Sequence, residues 1–130
     1  MAQKELPPLA VLPEQLTVCK AADFSEVDLN EGVWFLARTP KECSIVCETR
    51  RAPLRTLARE DGWRALYVSG VLDFSLTGIL AQIAGVLAHA QVSIFAVSTY
   101  NTDYVLVREE ALPQAVAALR AVGYYVEREG

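Results

Sequence analysis

An α+β fold with the element order βαββαβ is predicted by three features of this 130-residue chain. Two segments of the C-terminal half repeat apolar residues at helical spacing, and four others are short, rich in branched residues and bounded by turn signals. A stretch without Lys, Arg, Asp or Glu between Asp73 and Asp103 changes its period partway along. Such a run must be a membrane span, a doubly buried core or a binding surface. A span would hold one period for about 20 residues. Here the helical spacing of Leu76, Ile79, Leu80, Ile83 and Leu87 gives way near Ala90 and Gln91 to the β-rich "VSIFAVST" at 92–99, so the run reads as core.

Taken in order, the C-terminal elements are strand 64–70, helix 76–90, strand 92–99, strand 103–108, helix 110–121 and strand 124–128. The second helix buries Leu112, Val116 and Leu119, tolerates Pro113 in its first turn and stops at Gly123. Two helices on one face of an antiparallel sheet make a ferredoxin-like unit. Strand 92–99 carries apolar residues on both sides, Val92, Ile94 and Ala96 against Phe95 and Val97, so both of its faces are expected to be buried. In the N-terminal half, strands are expected at 9–12, 16–20, 33–39 and 43–48, with no apolar period between Lys20 and Val33. Strand order suggests two units in tandem, a degenerate copy at 1–62 and the complete one at 63–130. Residues 49–63 are expected to connect them, with a helical turn after Pro53.

The totals exclude several classes. With 52% hydrophobic and 22% charged residues, a monomer this small is expected to keep apolar surface for a partner, most simply a second copy in a homodimer. The net charge of −4, with Arg50, Arg51 and Arg55 as the close basic cluster, argues against nucleic acid. Cys19, Cys43 and Cys47 lack the paired spacing of a metal site and read as reduced thiols, so no metal and no cofactor is expected. The first residues have no basic-then-apolar signal pattern, and a cytoplasmic protein without membrane contact is expected. Catalysis is not expected either: there is no phosphate-binding glycine loop, and His89 has no nucleophile partner in the sequence.

The stretch at 68–124, with "DFSLTGIL" at 73–80 and "VSTYNTDYVLV" at 97–107, resembles the ACT domain family. It is most similar to stand-alone tandem ACT proteins related to CASTOR-type amino-acid sensors and to aspartokinase regulatory domains. The resemblance implies a free amino acid bound at an ACT–ACT interface. Its contacts would be Ser75, Leu76, Thr77, Gly78 and Ile79 in the loop and helix start, with Ser98, Thr99 and Asp103 facing them. Relatives often have an acid where Leu76 stands here.

Elementary chemistry fits that assignment. Free N–H groups at a helix start attract a carboxylate, and Gly78 would let one approach the main chain. Asp103 would hold an ammonium. Each feature also has an ordinary structural reading: Ser75 to Gly78 as a helix cap, Asn101 to Asp103 as a turn, Trp34 and Trp63 as core or interface anchors, Tyr100 as a packed loop residue. The expected function is a regulatory sensor that passes occupancy to an unidentified protein partner. Its alternatives are a dimerisation module without ligand, or the regulatory subunit of a biosynthetic enzyme such as an aspartokinase.

Overall fold

The computed structural model describes residues 6–69 and 78–127, which divide into two units. One runs through Pro13 and resumes at Arg64; the other is the intervening segment Glu14–Trp63. The expected boundary at 62/63 thus falls one residue from an observed one. The segment up to Pro13, expected in the N-terminal unit, instead clusters with the C-terminal one.

In the C-terminal unit, β1 (Leu9–Val11) pairs antiparallel with the end of β5 (Ala58–Val68), Leu9 opposite Val68 and Val11 opposite Leu66. β1 also runs parallel to β8 (Val126–Glu127). On the other side β5 meets β7 (Asp103–Arg108), which pairs antiparallel with β6 (Phe95–Ser98). The order β8-β1-β5-β7-β6 is that of a βαββαβ unit with one extra strand between its last and first strands. β1 is held there because Leu9 and Val11 enter the same apolar core as Leu66, Val68 and Val126.

Helix α1 (Ile79–His89) turns Ile79, Ile83 and Leu87 into that core at four-residue spacing. Helix α2 (Leu112–Ala121) adds Leu112, Ala115, Val116 and Leu119, and a short 3-10 turn at Glu109–Ala111 precedes it. Both helices end in the same motif. Val92 N–H donates to the Leu87 carbonyl (2.8 Å) and Gln91 N–H to that of Ala88 (2.9 Å), while Tyr124 and Gly123 do the same to Leu119 and Arg120. The left-handed position is filled by Gly123 after α2 but by Gln91 after α1, at φ +63°. Val92 therefore closes a helix and plugs the core, so β6 starts at Phe95 and is shorter than the 92–99 expected. Its faces are not both buried: Ala96 is exposed, and Phe95 and Val97 are half-buried.

In the N-terminal unit, β2 (Leu16–Ala21), β3 (Trp34–Thr39), β4 (Glu42–Glu48) and the first part of β5 form the order β3-β4-β2-β5. All neighbours are antiparallel. That order with antiparallel neighbours is also the one a βαββαβ unit has, so this segment matches such a unit in both strand order and strand direction. It contains no α-helix of its own. Cys19, Ala21, Ile45 and Cys47 form its small core, with Phe24, Val27, Trp34 and Ala52 packed against them.

The expected connection 49–63 is shorter than predicted, because β5 already begins at Ala58. Its helical turn lies at Thr49–Arg51, before Pro53 and not after it. Ala52 precedes the proline and is extended at ψ 145°, which ends the turn.

Candidate functional site

Of the eight residues singled out, Ser75, Leu76 and Thr77 lie outside the described residues. Gly78 is the N-cap of α1, at φ +83°, with no side-chain cap hydrogen bond. Glycine is required there by the backbone angle, since among the described residues a Cβ would meet nothing within 4 Å. Tight packing is therefore not the reason for Gly78. Its carbonyl accepts the first helical bond from Gln82 N–H at 2.8 Å. Ile79 is buried in the aliphatic core, so its side chain serves packing and only its main chain faces the helix start.

The other three sit on the β6–β7 hairpin. Ser98 is opposite Asp103 in register, which brings these two together where the hairpin enters its turn. Thr99 has a different task. Its N–H and its hydroxyl both donate to the Thr102 carbonyl, at 2.8 and 2.9 Å, so Thr99 closes the turn. Tyr100, at its tip, is 82% exposed.

Thr102 escaped the sequence reading. It is buried, and its hydroxyl donates to the Val68 carbonyl at 3.0 Å, tying the hairpin to the end of β5. The signal for it was present in the chain: a hydroxyl side chain between two turn residues and a strand start competes well for backbone partners. Next to Asp103, Tyr104 stacks on Tyr67 with ring centroids 5.4 Å apart and holds β7 beside β5.

Asp103 is half-buried and borders a small cavity with Leu66, Val68, Ile83 and Val105. That cavity measures about 10 Å³, room for roughly one water molecule. The carboxylate thus stands beside α1, one turn in from the helix start, at a site too small by itself to enclose an organic ligand. Across the helix pair, the Tyr124 hydroxyl donates to Gln82 Oε1 at 2.7 Å. Burial pushes the Tyr124 phenol above its usual range.

Among the described residues no cluster of His, Cys, Asp and Glu could hold a metal, and no helix is long and apolar enough to cross a membrane.

The ACT domain family model matches residues 58–121. Over 68 residues the chain is 38% identical to the cytosolic arginine sensor for mTORC1 subunit 1 of Homo sapiens, covering 52% of this chain and 21% of that protein. The Bos taurus counterpart gives the same values. The chain thus spans about a fifth of the length of these curated relatives. Among solved structures it is similar to an Agobacterium tumefaciens protein, with TM-score 0.83 and 27% identity over 98% of this chain and 96% of that one. It is also similar to the ligand-free regulatory subunit of aspartate kinase from Thermus thermophilus, with TM-score 0.67 and 10% identity over 92% of this chain and 99% of that one. The second likeness is one of fold alone.

Proposed function

Because residues 58–121 match the ACT domain family model, we propose that this protein is a non-enzymatic regulatory sensor whose ligand is a free amino acid. The observation that carries the reading is the start of α1. A left-handed glycine caps the helix without a side chain, which leaves room for a ligand carboxylate at the positive end of the helix dipole. Asp103, with Ser98 opposite it, supplies the counter-charge for an ammonium. Ser75, Leu76, Thr77 and the Ile79 main chain complete the loop side, and Thr99 with Thr102 holds the hairpin in place.

The cavity beside Asp103 is too small to surround an amino acid, so the pocket is completed by a second ACT unit, from a second copy in a cytosolic homodimer. A ligand shared by two units favours the docked arrangement through its differential affinity, and that docking is what a partner protein reads. A relative named an arginine sensor matches over 52% of this chain, which supports an amino acid as the ligand class.

A thermal-shift screen against the twenty amino acids tests the reading. A ligand at 100 times its dissociation constant adds about 2.7 kcal/mol of stability. Asp103→Asn should remove most of that shift while the unliganded protein melts unchanged. Sedimentation should give a dimer in both. If no amino acid shifts the melt and the protein still dimerises, the domain is a dimerisation module without ligand.

A further inference from the structure

The N-terminal unit contains a cavity of about 390 Å³ lined by Glu14, Gln15, Glu48, Thr49 and Arg50. That is within the range of small-molecule sites. None of these residues belongs to the amino-acid site proposed above, and all lie in the other unit.

Glu48 is the unusual member. It is 4% exposed, and a buried carboxylate must be paired and hydrogen-bonded to stay charged. Its Oε2 accepts Val33 N–H at 3.2 Å and Arg51 Nε at 3.1 Å. Among the described residues its Oε1 meets Arg50 Nη2 at 3.5 Å, a contact at the limit of hydrogen bonding, from a side chain that is 73% exposed. Arg51 is not free to help, since its Nη2 is committed to Glu31 Oε2 at 2.9 Å.

The charges around the cavity do not balance. Among the residues that line it, Glu14 and Glu48 contribute two negative charges and Arg50 one positive, leaving one negative charge. Glu14 has no ionic partner among the described residues. The wall is mostly carbon, so the site combines an apolar body with one under-satisfied carboxylate oxygen. Two carboxylates repel an anion, and no metal-ligating cluster exists among the described residues.

We propose that this cavity is a second binding site, for a small organic monocation with an aliphatic body, a primary amine or a guanidine. Its charged head sits against Glu48 Oε1 and the Glu14 carboxylate, its stem lies along the apolar wall, and the Arg50 arm moves out to solvent.

The test is an amide NMR titration of the full chain with n-pentylamine at neutral pH, with n-pentanol as the uncharged probe of similar length. The Thr49 amide, which donates to the Gln15 carbonyl at 3.0 Å, is a reporter within the site. Saturable shifts confined to residues 14–15 and 48–50 are expected with the amine, and at least tenfold weaker binding with the alcohol. Glu14→Gln should weaken the amine about tenfold and leave the alcohol unchanged. Glu48→Gln should weaken it further, and if that variant unfolds, Glu14→Gln alone decides. Equal binding of alcohol and amine, no saturable shift with the amine, or unaltered affinity in Glu14→Gln overturns the proposal.

Discussion

The two units cover their sheets by different physical means. In the C-terminal unit, two amphipathic helices lay Ile79, Ile83, Leu87, Leu112, Val116 and Leu119 on the sheet, and hydrophobic burial provides the cohesion. In the N-terminal unit no helix is available, and the irregular segment 22–33 takes its place. That segment is held by polar side chains that accept backbone N–H groups. Asp23 serves Ser25, Asp28 serves Asn30, Glu48 serves Val33, and Glu26 serves both Leu54 and Arg55. Trp34 adds its Nε1–H, donated to the Glu31 carbonyl at 2.8 Å. The lesson is that a sheet face covered by loops is maintained bond by bond, whereas one covered by helices is maintained by area.

The largest expected effect follows from the area side. Leu87→Ala removes a fully buried side chain where α1 meets the core, and should lower the unfolding free energy by about 2 to 5 kcal/mol in urea titrations. Amide exchange at residues 43–48 reports whether the N-terminal unit follows. Equal acceleration in both units would mean they unfold as one.

Next in size is the bond-by-bond side. Glu26→Ala strips the Leu54 and Arg55 amides of their carboxylate, at 2.9 and 3.2 Å, and hydrogen bonds to a charged group are worth about 1.5 to 3 kcal/mol. Exposure of the site puts the loss near the lower figure. Faster amide exchange at 54 and 55, with the C-terminal helices unaffected, is the expected pattern. A loss larger than that of Leu87→Ala would reverse the contrast between the units.

A third test uses pH. Burial, reinforced by the neighbouring Cys19, pushes the Cys47 thiol up to about 12 from an ordinary 9.0. Its folded-state value is raised, so the contribution to stability is complete below about pH 9. It is lost as pH rises from there towards 12, by about 1.4 kcal/mol for each unit. Cys47→Ala should flatten that alkaline slope. Cys43, the one thiol of the three that is not fully buried, should be the first alkylated by iodoacetamide at pH 8.

A comparably small effect is at the head of α1. Replacing glycine by alanine inside a helix stabilises it by about 1 kcal/mol. Gly78→Ala should do the opposite and cost about 1 to 2 kcal/mol, because φ +83° is strained for any residue with a Cβ. A higher melting temperature for this variant would show that the left-handed cap is dispensable.

Much of the C-terminal unit was legible in the chain because each helix carries its own period and its own stop. The break near Ala90 and Gln91, the stripe Leu112, Val116 and Leu119, and the strand 103–108 all depend on neighbours in sequence. The candidate site was legible only in part. Ser98 and Asp103 can be placed opposite each other from a hairpin register, but the role of Thr102 as an anchor depends on the Val68 carbonyl, 34 residues away.

By itself, then, the sequence determined the helices, where they stop and the identity of most strands, because those follow from local periodicity and capping. The helix starts, expected at 76 and 110, lie at Ile79 and Leu112. Tertiary structure decided which strands lie side by side. "LAV" at 9–11 has no period of its own, and it joins the C-terminal sheet because its edges are satisfied by β5 and β8. The stretch "AREDG" at 58–62 is poor in strand formers and largely exposed, yet it is the first part of β5 because β2 supplies its hydrogen-bond partners. Gly62, at φ +84°, sits where that register shifts between Leu16 and Val18, and takes up the bulge. Pairing of this kind is a property of two segments at once, and neither segment's composition contains it.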